Sequence, residues 1–133
     1  NVQVHQMLRT ENGWLTMLPL AFNGETASAV TSADLNDEYE LVIFSADTKS
    51  TDDRAKIGDT IEKTVTAVIQ DGKLTVNGKT YPLSLTNGKY TFTLEMDGEV
   101  FYGACCKGTK NGKTVMTLSA VSDRNRTLWA VGK

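Results

Sequence analysis

Residues 71–112 read DGKLTVNGKTYPLSLTNGKYTFTLEMDGEVFYGACCKGTKNG, punctuated by Asp71-Gly72, Asn77-Gly78, Asn87-Gly88, Asp97-Gly98 and Asn111-Gly112. A two-residue hairpin turn of type I′ needs φ > 0 at both central positions, and Asn or Asp followed by Gly reaches that state most readily. Between the pairs lie short runs rich in Thr, Val, Tyr, Phe and Leu, which suit a pleated, half-buried surface. Tyr90–Met96 alternates strictly, with Tyr90, Phe92 and Leu94 on one side and Thr91, Thr93 and Glu95 on the other. The stretch predicts consecutive antiparallel strands reversed at tight turns.

The same grammar extends outward. Asn12-Gly13 and Asn23-Gly24 bring to seven the glycines, out of eleven, that follow an Asn or Asp. Strands are expected over residues 2–8, with Val2, Val4 and Leu8 on one side, and over Trp14–Leu18, which Pro19 ends or bends. Tyr39–Ser45 and Thr60–Gln70 follow, the latter with Ile61, Val65, Ala67 and Ile69 facing a core. Then come Lys73–Val76, Lys79–Leu85, Lys89–Met96, Glu99–Cys106, Lys113–Val121 and Arg126–Val131. Pro82 predicts an edge position or a bulge, because it cannot donate to a ladder. Glu25–Asp37 is small and polar and predicts a loop with one helical turn from Ser32. About eight to ten short strands with little helix fit an all-β fold, a small antiparallel barrel or sandwich, and consecutive hairpins favour a β-barrel built as a lipocalin-like meander. Closure into a barrel removes exposed edges, and Tyr90, Phe92, Leu94, Met116 and Leu118 are expected to fill its interior.

Composition narrows the functions available. At 133 residues the chain is one domain with room for a single core. A net charge of −2 disfavours nucleic acid, whose phosphates require surplus Lys and Arg. The aliphatic and aromatic run Leu41–Phe44 is far short of the roughly 20 residues that span a bilayer as a helix. The two cysteines, Cys105 and Cys106, are adjacent, so on a strand they point to opposite faces and read as free thiols.

Catalytic motifs are lacking. His5 is the sole histidine, which leaves no obvious base for a nucleophilic triad and too few ligands for zinc. There is no Gly-x-Ser-x-Gly elbow and no phosphate-cradling glycine loop. Asp47, Asp52 and Asp53 lie in a Ser/Thr-rich excursion over 46–59 that reads as a solvated loop before a calcium site. Neither a metal nor a cofactor is expected.

Two separated motifs carry a family resemblance. His5-Gln6-Met7, Asn12-Gly13-Trp14, Pro19 and Asn23-Gly24-Glu25 stand at one end, and Lys113–Ala120, Asn125 and Leu128-Trp129-Ala130-Val131 at the other. In that order and separation they resemble the opening and close of the C-terminal β-barrel domain of glycoside hydrolase family 43 endo-arabinanases. Leu15 and Ala130 depart from the pattern, standing where a Pro and a Gly are expected. The resemblance implies that residues 1–133 form a single accessory barrel domain from the C-terminus of a longer enzyme, without catalytic residues of its own. It further implies a catalytic β-propeller domain of the same polypeptide as partner, and an extracellular or cell-surface bacterial enzyme that cuts α-1,5-linked arabinan. Under it Trp14, Trp129, His5 and Glu25 become candidates for carbohydrate or interdomain contact. The alternative is a free-standing lipocalin-like barrel that holds a small apolar ligand, which requires an unfilled interior.

Overall fold

Four of the five central pairs make the turn that their residues favour. Asp71-Gly72, Asn77-Gly78, Asp97-Gly98 and Asn111-Gly112 all have φ between 51° and 82° at both positions. In the computed structural model, which describes residues 4–45 and 64–133, these turns join strands of a closed barrel. The strands are β1 (His5–Arg9), β2 (Leu15–Ala21), β3 (Asp37–Ser45), β4 (Val65–Gln70), β5 (Lys73–Val76) and β6 (Lys79–Leu85). They continue with β7 (Thr91–Met96), β8 (Glu99–Lys110), β9 (Lys113–Ser122) and β10 (Arg126–Gly132). The excursion over 46–59 and Ile61 lie outside the described residues.

Strands β3 to β10 follow one another round the barrel, each antiparallel to the next. The wall closes where β10 returns to β3, from Arg126 opposite Ser45 to Gly132 opposite Tyr39. Alternation then sorts the side chains. Tyr39, Ile69, Phe92, Leu94, Phe101 and Leu118 point inward, each at most 2% exposed. Gly103 shares the inward side of β8. A Cβ there would collide with the Phe92 ring and lie 2.6 Å from the Ser119 carbonyl oxygen, so the phenyl ring occupies the space that a side chain would need.

Both ends of the lumen are occupied. At one, a 3-10 turn (Ala33–Leu35) inserts Leu35, and the Tyr39 hydroxyl donates to the Leu35 carbonyl at 2.7 Å. At the other, Glu99 is buried and receives Arg126 through both Nε and Nη2, the shorter contact being 2.6 Å, while the Ser122 hydroxyl donates to its second oxygen.

Several expectations need correction. Tyr90 does not fill the lumen: five residues, 86–90, separate β6 from β7, and Tyr90 packs instead on an outer cluster of Leu8, Leu18, Ala104 and Cys106. That longer loop also explains why Asn87-Gly88 is not a type I′ turn; only Gly88 has positive φ. Pro82 is not on an edge strand, since the barrel has none. β6 pairs with β7 only over Leu83–Leu85, so the proline nitrogen lies beyond that ladder and owes it no donor. Val4, expected beside Leu8, is 62% exposed because the register of β1 shifts between His5 and Met7. The Glu25–Asp37 segment contributes a core residue after all, in Leu35.

Candidate functional site

The first two strands stand apart from the wall. β1 and β2 form a two-stranded ribbon laid over the outer faces of β8 and β9. Such a ribbon is marginal by itself, so its attachment matters. Ser119, fully buried on the outer side of β9, organises that attachment. Its hydroxyl donates to the Met17 carbonyl at 2.6 Å and accepts from Thr16 Oγ1 at 2.5 Å. Trp129 Nε1 reaches the same pair of acceptors, the Met17 carbonyl at 2.9 Å and Ser119 Oγ at 3.1 Å. The indole thereby covers the otherwise open edge of β2, where an unpaired carbonyl would invite another strand.

The four residues singled out in the sequence all gather around this ribbon. Trp14 stands at its tip, 41% exposed, with its ring edge-on to Tyr102 of β8 at 5.4 Å. Trp129 stacks edge-on with Phe44 at 5.1 Å while holding β2. His5 Nδ1 donates to the Leu18 carbonyl at 2.8 Å, bridging the stretch where Pro19 offers no N–H and the pairing slips. Glu25 accepts from the Asn23 amide at 2.7 Å and from the Thr109 hydroxyl at 2.8 Å, tying the segment after β2 to β8. Those hydrogen bonds hold its carboxyl below the usual range, the Asn23 amide contributing most. Ser119 and Thr16 were not legible as partners, because a Ser or Thr on the outward register of a strand ordinarily meets water.

The outward side of the ribbon is apolar as well. Leu8, Thr16 and Leu18 face the barrel, whereas Met7, Leu15 and Met17 face away, and all three are at least 42% exposed. Met7 and Met17 are direct cross-strand partners, and Leu15 lies opposite Arg9.

Nothing in the described residues converges for bond breaking. Among them no three His, Cys, Asp or Glu side chains gather as a metal site, and the buried Glu99 is neutralised by Arg126. Cys105 and Cys106 are free and buried, one inside the lumen and one beneath the ribbon. Burial pushes the Cys105 thiol far up, away from its reactive thiolate form. An apolar recess of about 130 Å³ between Leu41, Ile43, Val65 and Met96 at the barrel rim is smaller than the roughly 300 Å³ of ordinary ligand sites. A wider groove of about 550 Å³, of mixed polar and apolar lining, runs between the ribbon tip and the 86–90 loop, bordered by Arg9, Glu11, Ala27, Lys89 and Tyr90. Among the described residues no helix is long and apolar enough to cross a membrane.

A closed eight-stranded meander with a lumen filled by side chains and an external ribbon defines a lipocalin-like barrel. The family model GH43_C, described as a C-terminal lipocalin-like domain, matches residues 19–130. The chain belongs to this family, and is thus a non-catalytic accessory domain of family 43 proteins. Among solved structures it resembles the glycoside hydrolase family 43 YxiA protein of Bacillus licheniformis, with 26% identity, a TM-score of 0.81, and coverage of 98% of this chain and 28% of that one. It also shares its fold with the endo-1,5-alpha-L-arabinanase of Thermotoga petrophila RKU-1, at 23% identity and a TM-score of 0.79, again over 98% and 28% of the two chains. No curated protein matches it by sequence. The chain thus spans little more than a quarter of the length of these structural relatives, and its counterpart in them includes the β1–β2 ribbon, which the family model largely omits.

Proposed function

We propose that this chain is the accessory barrel of a secreted bacterial glycoside hydrolase that cuts α-1,5-linked arabinan, and that it stabilises and positions the catalytic propeller of the same polypeptide. The observation that carries this reading is the filled lumen. With Phe92, Phe101 and Tyr39 packed inside and only a small recess at the rim, the barrel has chiefly its outer surface to offer. That packing also counts against the storage of a small apolar ligand. The likeness to a family 43 protein and to the fold of an endo-arabinanase supports the parent activity. A polymeric substrate, met outside the cell, is the reason to place the enzyme there. Trp14 has the exposed surface to touch a neighbouring domain or a sugar, while Trp129, His5 and Glu25 act on such contacts by fixing the pose of the ribbon.

The test is removal of this domain from the full-length polypeptide. The thermal midpoint and arabinan-hydrolysing activity of the remainder should both fall; if neither changes, the accessory role is wrong. Direct sugar contact is separable. Calorimetric titration of the isolated chain with arabino-oligosaccharides should give a response that Trp14→Ala diminishes, and silence up to millimolar concentrations removes that part.

A further inference from the structure

We infer that the outward face of the β1–β2 ribbon, made by Met7, Leu15 and Met17, is the seat of the catalytic domain, an inference that rests on the accessory function above. Surface strands covered on one face alternate apolar inward and polar outward. Three strands of the barrel wall away from the ribbon obey this: β5 turns Lys73 and Thr75 outward, β6 Thr80 and Ser84, and β7 Thr93 and Glu95. The ribbon does not. Its inner side buries Leu8 and Leu18, and its outer side presents three further large apolar residues. A strand that is apolar on both faces is built to lie between two layers, and here only the barrel supplies one.

The asymmetry extends to the whole described surface. Six of the seven exposed large hydrophobic side chains fall within residues 4–22; the seventh is Val68 on β4, across the barrel from β8. The three outward side chains offer on the order of 300 Å², well under the roughly 800 Å² per partner of a stable, untethered interface. That disfavours a second copy of this chain. It suits a covalently joined neighbour, because a tether raises the effective concentration into the millimolar range and a small apolar contact then suffices. In the structural relatives nearly three quarters of the polypeptide lies outside this fold, and the family is described as C-terminal. The larger part of such a polypeptide therefore precedes β1, the strand that carries Met7.

The initial rate of methionine oxidation reads this face before accumulated sulfoxide, which is polar, can alter it. Peroxide is applied to the isolated chain and to the full-length polypeptide, and sulfoxide at each methionine is followed by mass spectrometry. Met7 and Met17 should oxidise about tenfold more slowly in the full-length polypeptide, while buried Met116 stays slow in both. The paired variant Leu15→Glu, Met17→Glu should restore fast oxidation at Met7 in the full-length polypeptide and leave the isolated chain folded, since both positions are exposed there. Val68→Glu should leave the protection intact. Equal oxidation rates in the two proteins overturn the proposal; if domain removal still lowers stability and activity, the accessory function survives and only the face is wrong. Protection that grows with protein concentration assigns the face to a second copy and overturns it equally.

Discussion

At Ser119 a single hydroxyl serves three partners, the Met17 carbonyl, the Thr16 hydroxyl and the Trp129 indole. Ser119→Ala strands a buried Thr16 hydroxyl, and leaving a buried polar group unpaired costs about 1–3 kcal/mol. The loss should be local, so hydrogen exchange at the amides of Leu15–Leu18 should accelerate more than that of barrel strands such as β8. Gly103 poses a different constraint. Its φ lies outside the left-handed region, so the demand is for space: Gly103→Ala must displace the Phe92 ring or part β8 from β9. Overpacking of that kind costs about 3 kcal/mol, readable in chemical denaturation. Neither position declares itself in the sequence. Gly103 follows no Asn or Asp and offers no turn signal, and Ser119 matches the outward polar phase of an ordinary strand; each acquires its role from a residue distant along the chain.

The elements were more legible than the residues that tie them together. Asn-Gly and Asp-Gly pairs act through local backbone preference, so four hairpins could be read without knowledge of the fold. Gly78 isolates that preference, because its φ is 78° and a Cβ there would touch nothing within 4 Å. Gly78→Ala should therefore cost about 1–2 kcal/mol from backbone strain alone, with the β5–β6 register unchanged in NMR. Tyr90 departs from the alternation of Phe92 and Leu94 because it stands one step before β7 begins at Thr91, in the loop. Leu35 was missed because a lone large residue in a polar segment has no periodicity to reveal it. The gathering of Trp14, Trp129, His5 and Glu25 around one ribbon is out of reach for a different reason: it joins residues from both ends of the chain through pairings that local pattern does not encode.

On the scale of the whole molecule, Glu99 couples the barrel to pH. Its carboxyl is held below the usual carboxylate range by the Arg126 hydrogen bonds foremost, with help from Ser122, against the opposing effect of burial. A lowered folded-state value means that the stabilisation is complete above the ordinary carboxylate range and disappears as pH falls through the depressed value. Glu99→Gln should lower the stability at pH 7 by about 2 kcal/mol, since it weakens a paired buried charge, and the gap from wild type should close in acid. Thermal midpoints across a pH series would measure both. The thiols report on the same unit: Cys105 lies in the lumen and Cys106 beneath the ribbon. Thiol-reactive dye should label neither at a useful rate until the barrel opens, with Cys106 the first to respond if the ribbon lifts alone.

Closure by β10 against β3 has a consequence for how the protein is made. Translation delivers β3 before the other strands of the wall and β10 after them, so every nascent chain carries an unfinished wall with two raw edges while the intervening strands emerge. Neither edge can be sealed until Arg126–Gly132 has cleared the ribosomal exit tunnel. Premature termination before that strand would thus leave the whole wall unclosed.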